Sequence, residues 1–341
     1  MKIKEFVQEF IMEEDRDFDS AHASTLLELK DGGILAAWFG GSWEKGSDVA
    51  IWVARRQDGQ WESPKKVADE RTVAMWNPVL FRKEDGTIVL FYKVGVTIQQ
   101  WKTWYVESKD EGATFTKPQE LVIGDIGGRG PVKNKPIRLQ DGTILAPASL
   151  EGDTWDAFID ISKDDCKTWE KSELVPLRRS CFDIQMVDRP YNKYHCYGKG
   201  VIQPTLWEDE AGEIHMFLRS TSSRIFRSDS KDGGKTWSTA YDTGLPNNNS
   251  GFDLVKLPDG KLVMAYNPRE NLPNYYKGPR TPLVLAYSDD NGKTFKELKV
   301  LEDGPGGFAY PAIICNDNNE IFVTYTWKRE RIVFCKITYE V

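Results

Sequence analysis

Histidine is scarce in this sequence: His22, His195 and His215 are the only three in 341 residues, and no pair of them sits at metal-ligand spacing. A histidine-based zinc site therefore has little to be built from. The five cysteines, Cys166, Cys181, Cys196, Cys315 and Cys335, show no C-x-x-C pattern, and an odd count fits reduced thiols better than a disulfide framework. No window approaches 18 apolar residues, which removes a membrane-spanning helix. The opening residues MKIKEFVQEFIMEEDRDFD lack an uninterrupted apolar stretch and a small-residue cleavage site, so no signal peptide is expected. Lys and Arg number 45 against 52 Asp and Glu, a net charge of -7, and neither end carries a basic block to track a phosphate backbone. These absences describe a cytoplasmic protein with no nucleic-acid partner, no membrane partner, no metal and no cofactor.

Aromatic residues are abundant instead: 12 Trp, 13 Tyr and 16 Phe suit either stacked β cores or surfaces that stack on sugar rings. With 40% hydrophobic and 28% charged residues, the chain can bury a sizeable core. Its length admits two ordinary domains or one large propeller or barrel.

Internal repeats decide between these. Ser108-Lys-Asp110-Glu-Gly112-Ala-Thr114-Phe115 recurs as Ser162-Lys-Asp164-Asp-Cys166-Lys-Thr168-Trp169, as Ser230-Lys-Asp232-Gly-Gly234-Lys-Thr236-Trp237 and as Ser288-Asp-Asp290-Asn-Gly292-Lys-Thr294-Phe295. A worn copy, Arg56-Gln-Asp58-Gly59-Gln-Trp61, precedes them. The closing aromatics are spaced by roughly one propeller blade. A second series, Asp31-Gly32, Asp85-Gly86, Asp141-Gly142, Ala211-Gly212, Asp259-Gly260 and Asn318-Asn319, marks hairpins, because residues of this kind tolerate the positive φ that tight turns need. Six hairpins predict an all-β fold, a six-bladed β-propeller of four-stranded antiparallel blades occupying residues 1–341 as a single domain. The orphan strand-like run at 4–11 is expected to join the last blade and close the ring. An insertion at about 180–200 is expected to act as a lid or an oligomer contact. Within each repeat the Ser and Asp should cap a tight turn and the aromatic should pack between blades, a structural role.

The repeat is the Asp-box, and through it the whole chain resembles the sialidase (neuraminidase) superfamily of BNR/Asp-box propellers. That resemblance implies a glycosidase with three arginines on a substrate carboxylate, a tyrosine nucleophile activated by a glutamate, and an acidic residue on a first-blade loop. Carried onto this sequence, it points to Arg219 in Met216-Phe-Leu-Arg219-Ser, Arg280 in Arg280-Thr-Pro-Leu, and Tyr310 in Phe308-Ala-Tyr310-Pro as nucleophile. The first-blade loop supplies Glu44, and Asp48 second, as acid/base. Two positions depart from the pattern. His22 stands where the first arginine belongs, and Gln203 stands for the activating glutamate; an amide cannot take the tyrosine proton. A histidine, unlike an arginine, can exchange protons near neutral pH, and Asp19 is positioned to orient it if the chain turns there.

Polar residues opening the inner strands add further candidates: Asn77 beside Trp76, Lys133, Asn134, Lys135 and Glu151, with Trp43, Trp76, Trp101, Trp104 and Trp155 available to stack on sugar faces. His195, in the irregular insertion, and His215, in a hairpin strand, read as structural. The expected activity is sialidase-like exo-hydrolysis of an acidic sugar, sialic or uronic, from a small glycoside or oligosaccharide. Two rivals remain open: a uronate lyase using His22 and Tyr310 with the arginines, and a non-catalytic carbohydrate-binding propeller.

Overall fold

The structure, a computed structural model, describes residues 1–69, 72–182, 199–273 and 275–340. Most of the predicted insertion at about 180–200, with His195 and Cys196, lies outside the described residues. Among the described residues there is no α-helix, only two short 3-10 turns at Ile98–Gln100 and Arg179–Phe182. The fold is an all-β propeller.

Four sheets stand apart. One contains Ser20–Glu28, Ile34–Gly41, Ala50–Gln57, Gln60–Trp61 and Lys65–Ala68; a second contains Met75–Arg82, Ile88–Val94, Lys102–Ser108 and Gln119–Glu120. A third contains Asp253–Lys256, Leu262–Tyr266, Leu283–Ser288 and Lys296–Glu302; the fourth contains Phe308–Cys315, Glu320–Trp327 and Arg331–Glu340. The strands between Ile137 and Pro246 form a single eight-stranded sheet. Six separate blades, as the hairpin count predicts, are therefore not what the hydrogen-bonded sheets contain. The cause is a short parallel pairing of Thr154 with Lys199 and Trp155 with Gly200, which joins strands expected in different blades.

The strand Lys2–Phe10 pairs antiparallel with Arg331–Glu340, from Lys2 opposite Glu340 to Phe10 opposite Val333. First and last strands thus share one sheet, which leaves no open ladder between the chain ends. Side chains fasten the joint: Gln8 Nε2 donates to the Tyr325 hydroxyl at 2.6 Å, and Glu9 accepts from Arg56 Nε at 2.6 Å and from Trp61 Nε1 at 2.8 Å. Buried aromatic and aliphatic clusters fill the spaces between neighbouring sheets, Trp38, Trp207, Phe217 and Tyr325 among them.

The Asp-box residues cap turns. Asp110 Oδ1 accepts from the Thr114 backbone N–H at 2.9 Å and from Ser108 Oγ at 2.8 Å, and Asp164, Asp232 and Asp290 repeat the arrangement. His215 is buried between Asp229 at 2.6 Å and Asp209 at 3.0 Å, in a network outside the central cavity. Cys166, Cys181, Cys315 and Cys335 are free thiols.

Bonds from the Thr114 and Thr168 side chains and N–H groups bring the Asp110 and Asp164 carboxyls down to about 2. An unfolded aspartate titrates near 3.9, so their stabilisation is complete above about pH 4 and is lost as pH falls from about 4 to 2. The double variant Asp110→Asn with Asp164→Asn should melt lower than wild type at pH 7 and show a smaller drop in Tm between pH 5 and pH 3, as measured by thermal unfolding across that range.

Candidate functional site

The inner strand of several sheets is broken after its second, third or fourth residue. Ladder shifts fall between His22 and Thr25, Trp76 and Val79, Ile202 and Thr205, and Ala309 and Ala312. At each break one residue is left-handed: Ala23 (φ 53°), Asn77 (41°), Gln203 (53°) and Tyr310 (54°). Three of these precede proline, a position that favours extended backbone, so the conformation is strained. A bulge of this kind bends the strand and re-aims its side chain, here bringing Gln203 and Tyr310 to the ring axis.

At the axis these residues form one connected group. Arg219 Nη1 donates to Gln203 Oε1 at 3.0 Å and to the Tyr310 hydroxyl at 2.6 Å, while its Nε donates to Asn249 Oδ1 at 2.9 Å. Gln203 Nε2 donates in turn to Glu151 Oε1 at 3.2 Å. Gln203 therefore bridges the arginine and a second carboxyl, Glu151, supplied by the neighbouring strand Ile144–Glu151. The backbone passes close here: a β-carbon at Gly251 would come within 3.2 Å of Gln203 Oε1 and of Lys133 Cε.

Above this group opens a cavity of about 620 Å³. Arg219, Arg280, Arg329, Lys277 and Lys45 line it as cations, Glu44 and Glu151 as carboxyls, and Trp76, Trp155, Tyr276 and Tyr310 as aromatics. Arg219 lies 5.2 Å from the Trp155 ring centroid, and Arg280 5.6 Å from that of Tyr310. Cations outnumber carboxyls, so the cavity suits an anion. Burial beside Arg329 lowers Arg280 to about 10, which leaves it charged at neutral pH, and burial beside Arg280 and Arg219 brings Lys277 down to about 8. Burial pushes the Glu151 carboxyl above its ordinary value, against the pull of Arg219.

Several sequence candidates lie elsewhere. Asp48 accepts from the Ser42 N–H at 2.7 Å and Ser42 Oγ at 2.9 Å, capping its own loop outside the cavity lining. Trp43 is 60% exposed and does not line the cavity. His22 is sealed behind Tyr310: its ring centroid is 4.3 Å from that of Tyr310 and its Nδ1 is 2.8 Å from Thr326 Oγ1. Asp19 is exposed, so Thr326 rather than Asp19 orients the ring. Burial, then Arg329, Arg280, Arg219 and Lys133, hold His22 well below its ordinary value, hence neutral. Asn77 is buried at its strand break and does not line the cavity. Lys135 pairs with Asp253 at 3.0 Å, and Lys133 is buried beneath the cavity, donating to Asn134 Oδ1 at 2.8 Å and the Phe252 carbonyl at 2.9 Å. Burial brings the Lys133 amine down to about 7. Asn134 binds the Gln203 and Pro204 carbonyls. Trp101 is buried against Trp76.

Arg329 had no place in the motif pattern. Its carbonyl accepts from the Ala21 N–H at 3.0 Å, which sets it beside His22, and its Nη1 donates to Glu44 Oε2 at 2.8 Å. A third guanidinium thus reaches the cavity from the last hairpin, next to the histidine that stands in the expected arginine's place. The available signal was two adjacent cations, Lys328-Arg329, in a turn between strands.

A family model described as a BNR repeat-like domain matches residues 32–323. No curated protein matches the chain. Among solved structures, a protein of unknown function from Dyadobacter fermentans is similar at 17% identity and a TM-score of 0.73, over 99% of both chains. A K499G mutant of NanB sialidase from Streptococcus pneumoniae is similar at 13% identity and a TM-score of 0.71, over 96% of this chain and 70% of that one. Trypanosoma rangeli sialidase in complex with 2,3-difluorosialic acid, a covalent intermediate, is similar at 13% identity and a TM-score of 0.72, over 98% of this chain and 59% of that one. At these identities the likeness is one of fold.

Replacing Asp48 by Ala should lower stability by about 1 kcal/mol through its lost Ser42 bonds, a change that thermal unfolding measures.

Proposed function

Because the chain belongs to the BNR repeat-like domain family, we propose that it is a sialidase-like glycoside hydrolase that removes an acidic sugar, sialic or uronic, from a small glycoside or oligosaccharide. One observation carries this: Arg219, Arg280 and Arg329 converge on a cavity that also contains Tyr310 and Glu151. Guanidiniums from a strand (Arg219), a loop (Arg280) and a hairpin turn (Arg329) suit a planar carboxylate, which they meet through paired N–H donors.

In this reading the Tyr310 oxygen, held by Arg219, faces the anomeric carbon and stabilises its positive charge, while the water that attacks that carbon returns a proton to the Glu151 carboxylate left after leaving-group protonation. Glu151 is the acid that protonates the leaving oxygen; its burial keeps the proton on the carboxyl at higher pH than an exposed glutamate would. Glu44, engaged with Arg329, holds that guanidinium in place rather than giving up a proton. Gln203 couples Glu151 to Arg219 without exchanging protons itself. The Trypanosoma rangeli sialidase intermediate is consistent with covalent chemistry on this fold. A uronate lyase would need a base open to the substrate, and His22 is closed off behind Tyr310.

Mass spectrometry of purified protein with a panel of sialosides and uronate oligosaccharides tests the proposal: products that sum to substrate plus one water are expected. Products that sum to the substrate alone, one with a new double bond, would establish a lyase, and no product from any substrate would leave a binding module. Arg219→Ala should lower kcat/KM by at least about 100-fold. As general acid, Glu151 works only while protonated, so kcat/KM should fall as pH rises through its elevated value, and Glu151→Gln should abolish that limb with most of the activity.

A further inference from the structure

Behind Arg280 and Arg329 lies a second hollow of about 420 Å³, completed by Pro305, Gly306, Gly307 and Lys328. The same two arginines line the main cavity, so the two spaces share a cationic partition. Among the described residues no carboxylate lines the second hollow; Glu44, the acidic partner of Arg329, is on the main-cavity side.

The backbone supplies an independent observation. Trp327 and Arg331 pair across the last hairpin, and the Glu330 N–H donates to the Trp327 carbonyl at 3.0 Å. The two central residues of this turn, Lys328 and Arg329, are both left-handed, at φ 52° and 66°. Such a turn is ordinarily filled by Asn-Gly, because a β-carbon is unfavourable in that region. Two long cations are poor turn formers here, and strain of this sort is retained where the side chains serve another purpose. The turn is pinned on both flanks, by the Lys328 N–H on the Gly307 carbonyl at 2.8 Å and by the Arg329 carbonyl on the Ala21 N–H at 3.0 Å. Gly306 leaves room for the Lys328 stem, since a β-carbon there would lie 2.9 Å from Lys328 Cε, and Lys328 Nζ stands 4.2 Å from the Trp327 ring centroid.

One sugar carboxylate in the main cavity leaves Lys328 and the outer faces of the two shared guanidiniums unmatched. We propose that the second hollow is a subsite for a second carboxylate, carried by an adjoining acidic sugar, so that the preferred substrate is a dianionic oligosaccharide rather than a single acidic sugar on a neutral carrier. The inference rests on the cavity being an acidic-sugar site and adds the neighbour that the sugar is attached to. Lys328 and Arg329 are then held in an unfavourable turn because that turn aims one cation at each side of the partition.

Calorimetric titration of the full chain tests this, in a Tyr310→Phe background so that no ligand is consumed. The probes are sialic acid against its α2,8-linked dimer and galacturonate against its α1,4-linked dimer. In at least one series the dimer should bind about 10-fold or more tightly than its monomer. Adding Lys328→Asn, which suits the turn and should leave Tm unchanged or raised, should remove most of that preference while the monomer stays within about twofold. Lys328→Gln, which keeps the length of the side chain, should do the same. Equal affinities for monomer and dimer in both series, no binding by either dimer, or a Lys328→Asn effect of equal size on monomer and dimer would overturn the subsite. Hydrolysis is scored separately by the product screen on the wild-type chain: a dimer preference without turnover retires the hydrolase and keeps the subsite, whereas turnover without the preference does the reverse.

Discussion

A single buried amine ties the centre of the ring together. Lys133 Nζ donates to the carbonyls of Phe252 and Pro311 and to the side chain of Asn134, so three separate stretches of chain meet at one nitrogen beneath the cavity. Removing that nitrogen would strand carbonyls that no water replaces easily. Directly above it sit Gln203 and Tyr310, each placed by a left-handed residue before proline. The cavity floor is thus built from strained backbone held by a buried hydrogen-bonding centre, and the positions of Arg219 and Glu151 follow from it. Burial lowers the charge-holding tendency of the amine, which limits the repulsion between Lys133 and the arginines overhead.

The electrostatics of the site run in one direction. Arginines and lysines gather from different parts of the chain around a single space, while the nearby titratable groups adjust: His22 is kept neutral, Lys277 is weakened as a base, and burial raises the Glu151 carboxyl above its ordinary value. An anionic ligand would relieve this mutual repulsion. The last hairpin contributes most unusually, with two cations in a turn that prefers small residues.

Sequence periodicity identified the propeller and its box turns because those features are local: an Asp-box satisfies its hydrogen bonds within a few residues, and an Asx-Gly turn fixes a hairpin by itself. The count of separate blades was not local, since the parallel joint between Thr154–Trp155 and Lys199–Gly200 spans a long stretch of chain. For the site, Arg219, Arg280, Tyr310, Glu44 and Trp76 were legible from motif position and do line the cavity. Asp48 and Trp43 were misplaced because a loop of charged and aromatic residues does not declare which of them turn inward. Lys133 and Lys135 were recognised as polar groups near the axis, yet both are spent on backbone and Asp253 rather than on the cavity.

The amino-acid sequence alone determined the repeating β units and a shortlist of residues near the axis. Each of these depends on neighbours in the chain. Tertiary structure alone decided that Arg329 comes to lie beside His22, that Glu151 reaches Arg219 through Gln203, and that Lys328 faces a hollow of its own. Arg329 and His22 lie near opposite ends of the chain and meet only because the last hairpin packs against the first sheet.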